Sequence, residues 1–331
     1  MNDFSVISKR VVSFLRDEFA SQYDPDCVVQ LRGDASTRQY FRYHEKNRSF
    51  ILAVYPDPFD LKDFNYQQMY DLFQKIKLPI PAIHTLDSDR GIVLQEDLGD
   101  ESLQKRLLVA NATERKRLFL ASIDHIITIQ GKGTRSLKPE YQASSLVFDQ
   151  DKLNQELVFF LHHYLEDYCQ INVLDKNRLR EEFNRLTAEL ADLDRCLCHR
   201  DYTVRNLILK NNTVYIIDFQ DARWGPFSYD LASLLQDSVE LDQEEIHQYC
   251  EYYLSRAVLS EKPGDFLRHF RLMCIQRLLK ALGTYGHQST AYGKHVYRQY
   301  IPGSLRRVLD SIRFIPEFPY TQFIIEKELE Y

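Results

Sequence analysis

The chain has 331 residues, with 48 acidic and 42 basic side chains and a formal net charge of −6. A hydrophobic share of 44% is enough for a substantial core, and the mild negative charge gives no electrostatic case for binding nucleic acid or an anionic membrane. No apolar run reaches the ~20 residues that span a bilayer, the acidic N-terminus does not fit a signal peptide, and six cysteines without a C-x-x-C pair indicate reduced thiols and a cytoplasmic protein.

The first part of the chain alternates between strand and helix patterns. Apolar residues at helical spacing predict a helix over 5–20, and a second helical pattern covers 62–76. Runs rich in β-branched and aromatic residues predict strands on either side of the second helix. These strands cover 27–32, 39–43, 50–55, 83–86 and 91–95. We therefore expect residues 1–95 to form a small lobe, mainly an antiparallel sheet with a helix.

Helical periodicity dominates after the connector 96–100. The predicted helices cover 102–109, 113–130, 151–168, 178–192, 230–235, 243–259, 263–283, 294–314 and 319–331. Residues 96–331 are therefore expected to form a larger, mostly helical lobe. The expected fold class is α+β, with two lobes.

The segment from Leu197 to Ser233 contains an ordered set of polar side chains. His199-Arg200-Asp201 is followed by Asn206, then by Asp218-Phe219 after a hydrophobic run. A single acid in such a place is commonly a turn residue or a helix cap, but the ordered set is much more specific. One carboxylate, Asp201, can deprotonate an attacking hydroxyl as catalytic base, while Asn206 and Asp218 can hold Mg²⁺ against nucleotide phosphates. The set predicts phosphoryl transfer, with a catalytic loop over 197–220.

A hairpin is predicted between Asn206 and Asp218. Asn211-Asn212 is a plausible two-residue turn because Asn tolerates positive φ. Folding there pairs Asn206 with Ile217, which leaves Asp218 one residue out of register and pointing to the opposite face. The chain must therefore leave the regular ladder at one of these ends if both side chains are to hold one metal ion.

This segment resembles the catalytic core of the aminoglycoside phosphotransferase and choline kinase-like superfamily, relatives of the protein kinases. IDFQDARWGP and YDLASLL, with Gly33–Arg38 and Tyr40–Arg42, resemble a bacterial branch that includes the N-acetylmuramate/N-acetylglucosamine anomeric kinase. The resemblance implies a bilobal protein-kinase-like fold, ATP and Mg²⁺ as cofactors, and transfer of the γ-phosphoryl group to a sugar hydroxyl. It also implies that His199 and Asp230 support the catalytic loop, and that Glu96, Asp97 and Leu98 form the hinge beside the adenine.

The small lobe departs from the protein-kinase pattern. The loop that would cover the phosphates has one glycine, Gly33, although its Ser36, Thr37 and backbone N–H groups can hold phosphate oxygens. Ala53 occupies the place of the usual strand lysine, and no glutamate lies between Glu45 and Glu96. We therefore expect either Arg38 or Arg42 to offset nucleotide charge in place of the lysine.

The acceptor is expected to be a small molecule. Eleven residues lie between Asp218 and Asp230, too few for the segment with which protein kinases dock peptides. An amino sugar is the favoured acceptor, and an aminoglycoside, choline or other small alcohol is the alternative. A third possibility is an inactive nucleotide-binding protein, suggested by the missing lysine. The weaker candidates for acceptor contacts are Asp149, Asn154, Glu156, Arg205 and Trp224.

Overall fold

A computed structural model describes residues 3–20, 23–31, 38–61, 64–171, 175–236, 238–258 and 262–330. A five-stranded antiparallel sheet, in the order β1-β2-β3-β5-β4, forms the first lobe with two helices. The elements are α1 (Asp3–Phe19), β1 (Val28–Leu31), β2 (Gln39–Glu45), β3 (Arg48–Val54), α2 (Asn65–Lys75), β4 (Ile83–Asp87) and β5 (Ile92–Glu96), with a 3₁₀ turn at Pro25–Cys27. The predicted order of three strands, helix and two strands is confirmed.

The two helices pack on opposite faces of the sheet. Alternate side chains of a strand point to opposite faces, so Leu52 of β3 packs with Phe14 of α1 in one apolar cluster. Its neighbour Ala53 belongs to the other cluster, with Phe73 of α2. The face of the sheet that carries Ala53 is therefore the one directed towards the second lobe.

The second lobe is mostly helical. Its helices are α3 (Leu103–Val109), α4 (Ala112–Thr128), α5 (Thr134–Ser136), α6 (Gln142–Ser145), α7 (Gln150–Phe160), α8 (Lys176–Ala191), α9 (Ser228–Leu235), α10 (Gln243–Leu254), α11 (Pro263–Thr290), α12 (Ile301–Ile312) and α13 (Pro319–Glu330). The short strands β6 (Arg195–Cys198), β7 (Leu207–Lys210), β8 (Thr213–Ile216) and β9 (Arg223–Pro226) pair antiparallel as β6-β9 and β7-β8. These two ribbons carry the segment that the sequence singled out.

Several predicted helix ends are wrong. The helix predicted over 243–259 ends at Leu254, while the one predicted over 263–283 continues to Thr290. The helix predicted over 294–314 is a 3₁₀ helix, His295–Tyr300, followed by α12. Two others, predicted to 130 and 168, pass into π-helical turns at Ile129–Gly133 and Leu161–Tyr168. Element ends depend on tertiary packing, which periodicity does not report.

The long helix α11 lies against the π-helical turn Leu161–Tyr168. Gly283 and Gly286 make this close approach possible, because a Cβ at Gly286 would lie 2.3 Å from the His163 carbonyl oxygen. At Gly283 it would lie 2.8 Å from Phe160 Cα. The residues of α11 that precede these glycines are thereby held beside the catalytic loop.

All six cysteines are free thiols. Cys196 and Cys198 are buried on β6, with their sulfur atoms 3.9 Å apart, and burial raises the pKa of both. They are packed, unreactive thiols at the start of the catalytic segment. None of the described helices combines the length and the apolar character needed to cross a membrane.

Candidate active site

A buried carboxylate holds the catalytic loop. Asp230, at the start of α9, accepts hydrogen bonds from the backbone N–H groups of His199 (2.6 Å) and Arg200 (3.1 Å). The His199 ring is fully buried, and its Nε2 lies 3.1 Å from the Ile217 carbonyl oxygen. Arg200 has a φ of +82°, an unfavourable value for a side chain of its kind. The Asp230 carboxylate stabilises this turn because it satisfies both N–H groups at once.

Asp201 follows the braced turn and faces a group of cations. Arg200 Nη1 lies 3.1 Å from its carboxylate. Burial by itself would raise the pKa of the Asp201 carboxyl, but the nearby cations Lys280 and Arg200 outweigh it and lower the pKa below its usual value. The group is therefore a carboxylate at neutral pH, able to accept a hydrogen bond from a hydroxyl.

The hairpin forms at the predicted turn. Lys210 pairs with Thr213, and the two turn residues between them, Asn211 and Asn212, have φ values of +50° and +63°. Both are left-handed, as a two-residue turn of this kind requires. The predicted pairing of the flanking residues also holds, because the Ile217 N–H donates to the Asn206 carbonyl at 3.1 Å.

The chain leaves the ladder at Asp218. Its φ of +65° turns the backbone out of the strand, so its side chain can lie on the same side as Asn206. Both residues line one cleft between the lobes. The Asn206 amide nitrogen donates to the Asp201 carbonyl oxygen at 2.9 Å, which leaves its side-chain oxygen as the acceptor. One amide oxygen and one carboxylate thus line the same cleft, as the predicted metal site requires.

The cleft between the lobes has a volume of about 350 Å³. Its apolar walls come from both lobes, with Ile51 and Ala53 of the sheet on one side and Ile208 and Ile217 of the hairpin on the other. At one end lie the connector residues from Gln95 to Asp100, which include the predicted hinge. Asn206 and Asp218 also line it.

Arg38 lies beside Asp218, one of the two metal-ligand candidates. Its Nη2 is 2.6 Å from Asp218 Oδ1, and its guanidinium lies over the rings of Tyr40 and Tyr55, 5.8 and 5.7 Å from their centroids. The preceding loop, with the predicted phosphate contacts Gly33, Ser36 and Thr37, lies outside the described residues. Of the two arginines proposed to replace the lysine, Arg38 is the one beside Asp218.

Arg42 is bound to the connector. Its Nε lies 2.7 Å from Asp97 and its Nη2 lies 2.8 Å from Asp100. Its guanidinium therefore joins strand β2 to the connector, although the residue also lines the cleft. Asp97 accepts a further hydrogen bond from the Gly99 N–H at 2.9 Å. Burial by itself would raise the pKa of the Asp97 carboxyl, but these contacts outweigh burial and lower the pKa.

The remaining hinge residues are also held in place. Glu96 accepts from Lys210 Nζ at 2.7 Å and from the Ala82 N–H at 3.2 Å. Leu98 is buried and lines the cleft. Lys210 also donates to the Asp97 carbonyl oxygen at 2.9 Å, so the hairpin supports the connector directly. Nothing in the sequence around Lys210 indicated this contact.

Aromatic packing and a hydrogen bond join α2 to Phe219 and Gln220, the two residues that follow Asp218. Tyr66 stacks on Phe219, with ring centroids 4.8 Å apart, and donates to the Gln95 side chain at 2.6 Å. Asn65 donates to the Gln220 carbonyl oxygen. These residues were not predicted, because the contacts join segments that are ~150 residues apart and carry no shared motif.

A second, smaller cavity of about 130 Å³ lies on the other side of the catalytic loop. Asp201 lines it together with Arg277 and Lys280 of α11. Arg205 lines both this cavity and the larger cleft, so the two adjoin at that side chain. The base candidate thus faces one cavity, while the two metal-ligand candidates face the other.

Comparison with known proteins agrees with this geometry. The model of the family described as phosphotransferase enzyme family matches residues 28–263, well over half of the chain. The chain belongs to the phosphotransferase enzyme family. It is therefore a phosphotransferase with an alcohol group as acceptor. The N-acetylmuramate/N-acetylglucosamine kinase of Neisseria meningitidis serogroup B is 29% identical over 88% of both chains. That of Pseudomonas aeruginosa is 28% identical over 88% of this chain and 86% of its own.

Solved structures of the same fold confirm the predicted bilobal, protein-kinase-like α+β architecture of this phosphotransferase. A choline/ethanolamine kinase family protein from Mesorhizobium loti has a TM-score of 0.63 at 13% identity, covering 96% of this chain and 99% of its own. An ADP-bound aminoglycoside phosphotransferase has a TM-score of 0.59 at 15% identity, covering 92% of this chain and 96% of its own.

Among the predicted acceptor contacts of the phosphotransferase, Arg205 lines the small cavity. Asp149 caps α7, accepting from the Lys152 N–H at 2.8 Å, and Asn154 bonds to Asn184 at 2.9 Å on the surface. Trp224 pairs with Leu197 in the β6-β9 ribbon. Glu156 is buried and accepts from Gln276 Nε2 at 3.0 Å. The described lining of either cavity does not include these four residues.

Proposed function

We propose that this phosphotransferase transfers the γ-phosphoryl group of ATP to the anomeric hydroxyl of an N-acetylated amino sugar. The observation that carries the proposal is the placement of the polar set on two adjoining cavities. Asp201 faces the small cavity, which would hold the acceptor, and Asn206 and Asp218 face the interlobe cleft, which would hold the nucleotide.

The residues at the end of the cleft fit Mg²⁺. Asn206 and Asp218 supply oxygen atoms, which this hard ion prefers, and Asp218 already holds the cation of Arg38 at 2.6 Å. The described residues contain no group of three or more His, Cys, Asp or Glu side chains able to hold a metal. This suits an ion that completes its shell with nucleotide phosphates and water. When bound, Mg²⁺ would neutralise charge on the phosphates.

The cleft suits a nucleotide base. An adenine ring would lie between the apolar side chains of Ile51 and Ala53 above and those of Ile208 and Ile217 below. The connector, held by Arg42 and Lys210, would offer its backbone groups to the adenine edge. Arg38 lies beside Asp218, and its guanidinium would bind phosphate oxygens there with two parallel hydrogen bonds.

The chemical step follows from the position of Asp201. Its carboxylate would accept the proton of the sugar hydroxyl as the hydroxyl oxygen forms its bond to the γ-phosphorus, and the bond from that phosphorus to the bridging oxygen of ADP breaks. The buried brace from Asp230 would keep the carboxylate in position. Such orientation is the main contribution a protein makes to phosphoryl transfer.

The amino-sugar acceptor is supported by the relatives and by the charge of the small cavity. The two relatives whose names state this activity align over most of their length. Arg277 and Lys280 line the cavity, which disfavours polycationic aminoglycosides and the cation choline because like charges repel. The alternative acceptors considered from the sequence are therefore less well supported. A cytoplasmic location remains part of the proposal.

The test is an acceptor panel with purified enzyme, ATP and MgCl₂, measured as acceptor-dependent ADP release. N-acetylglucosamine and N-acetylmuramate are compared with choline and an aminoglycoside. The matched control is the methyl glycoside of N-acetylglucosamine, in which the anomeric hydroxyl is blocked. We expect turnover with the free sugars and none with the glycoside, choline or aminoglycoside.

Turnover of the methyl glycoside would show that another hydroxyl is the acceptor. Turnover with choline or the aminoglycoside alone would contradict the amino-sugar proposal. Magnesium removal with EDTA should abolish activity, and excess MgCl₂ should restore it.

A further inference from the structure

The small cavity contains two cations, Arg277 and Lys280, in addition to the predicted base Asp201. Arg277 and Lys280 lie one turn apart on α11 and line the cavity with Asp201. Both are half-buried, so water or a ligand can reach them. They come from a helix far along the chain from the catalytic motif. Besides lowering the pKa of the Asp201 carboxyl, Lys280 is therefore placed to contact an acceptor in this cavity.

The two cations differ in how far the protein satisfies them. Arg277 donates to the Arg200 carbonyl oxygen at 3.3 Å and lies over the Tyr229 ring, 4.4 Å from its centroid. Lys280 makes no ion pair within 4.0 Å and no side-chain hydrogen bond with any residue in the described ranges. Its ammonium group has three donors, and none is committed to those residues. Arg277 is thus part of the wall, and Lys280 is the donor available to a ligand.

The surroundings of Lys280 also favour an anion. Burial lowers the pKa of the Lys280 ammonium. The attraction of Asp201 and Glu156 opposes this shift, and the repulsion of Arg277 and Arg200 adds to it. An incoming carboxylate would favour the charged form of the lysine and compensate its desolvation. A neutral ligand cannot do this.

We propose that Lys280, backed by Arg277, binds a carboxylate on the acceptor, so that the enzyme selects acidic amino sugars over neutral ones. The proposal rests on the proposed function and extends it to a specificity determinant. N-acetylmuramate is N-acetylglucosamine with a lactyl ether, and that ether carries the only carboxylate of the sugar. The two sugars therefore differ by the group that Lys280 would bind.

The experiment compares kcat/KM for N-acetylmuramate with kcat/KM for N-acetylglucosamine in the wild type and in Lys280→Met. We expect the ratio to fall by about 10- to 100-fold, because a hydrogen bond between charged groups is lost only with the acidic sugar. If Lys280 also affects the reaction through the pKa of Asp201, kcat/KM changes by the same factor for both sugars. That effect therefore cancels in the ratio. Lys280→Arg keeps the charge and should retain most of the preference.

The matched control is Lys116→Met, on the exposed side of α4 and away from the described lining of the cavity. Its ratio should equal that of the wild type. Lys280→Gln provides a second uncharged variant if Lys280→Met fails to fold. Calorimetry of either variant without nucleotide should show weaker binding of N-acetylmuramate and unchanged binding of N-acetylglucosamine.

The outcomes separate this inference from the proposed function. Absence of turnover with both sugars in the wild type would refute the amino-sugar function itself. Turnover of both sugars with an unchanged ratio in Lys280→Met and Lys280→Gln would refute the role of Lys280 alone. An equal loss on both sugars would show that Lys280 acts through Asp201 and does not recognise a carboxylate.

Discussion

The two sides of the interlobe cleft are held by different kinds of contact. On the helical side, the buried Asp230 carboxylate accepts hydrogen bonds from two backbone N–H groups of the catalytic loop, that of the buried His199 and that of the partly buried Arg200. On the sheet side, the contacts are side-chain ion pairs. Arg38 pairs with Asp218, and Arg42 pairs with Asp97 and Asp100, of which Asp100 is largely exposed.

This difference indicates where the site is fixed and where it can adjust. Hydrogen bonds from a buried carboxylate to backbone groups hold the loop in one geometry, since breaking them would leave buried N–H groups unsatisfied. A guanidinium on a long side chain can exchange one anionic partner for another at lower cost. The proposed base, Asp201, is therefore held in one position, whereas Arg38 would be able to leave Asp218 for the proposed metal and phosphate.

The largest expected effect tests the helical side. Asp201→Asn keeps the shape of the side chain but removes its ability to take a proton, so kcat should fall by about 10²- to 10⁴-fold. The measurement is kcat at saturating ATP and sugar, with the thermal transition as a check on folding. Asp221→Asn is the matched control, because Asp221 also pairs with Arg200, at 3.2 Å. If Asp201→Asn keeps full activity, the assignment of the base is wrong.

The next largest effect is expected when the hydrogen bonds from the catalytic loop to Asp230 are removed. Asp230→Ala leaves one buried and one partly buried N–H group without their acceptor and should lower the free energy of unfolding by about 3 kcal/mol, measured by urea unfolding. The control is Ser233→Ala on the same helix. That variant removes one neutral bond to the Tyr229 carbonyl, seen at 2.9 Å, and should cost about 1 kcal/mol. Equal losses in the two variants would mean that the brace is no stronger than an ordinary helix contact.

The sheet side is tested by comparing its two arginines. Arg38→Met should weaken Mg·ATP binding about tenfold, because a charged partner of the phosphates is lost. Arg42→Met should change the Kd less than about threefold, since Arg42 is bound to the connector. The Kd is measured by calorimetry, and Arg38→Lys should restore part of the affinity. Tighter Mg·ATP binding in Arg38→Met would instead mean that Arg38 competes with the metal for Asp218.

The smallest effect concerns the turn of the hairpin. Asn211→Ala places an alanine at a φ of +50°, which should cost about 1 kcal/mol of unfolding free energy. Asn211→Gly is the control and should cost only a few tenths, since glycine adopts this conformation freely. Urea unfolding measures both. If Asn211→Ala leaves the free energy of unfolding unchanged, the register of the hairpin does not depend on this turn.

The sequence by itself determined the chemistry of the helical side. Asp201, Asn206 and Asp218 lie within one short segment, and the hairpin between them is specified by its own turn residues. Local spacing therefore predicted that these three residues lie near one another, although it left Asp218 on the opposite face of a regular hairpin. The order of strands and helices was equally readable from periodicity, although several helix ends were not, because packing decides where a helix stops.

Only the tertiary structure decided the rest of the site. The structure shows that Arg38 pairs with Asp218 and Arg42 with Asp97, a difference that the sequence did not indicate. It also shows that the backbone at Asp218 turns out of the strand. It also brought Arg277 and Lys280 beside Asp201 from a helix about 80 residues further along the chain. The position of Arg277 and Lys280 depends on how α11 packs, with Gly283 and Gly286 allowing its close approach. No local sequence pattern predicts such a contact between distant segments. The candidate reacting groups could be proposed from their spacing, whereas the residues proposed to select the acceptor could be found only in the packed structure.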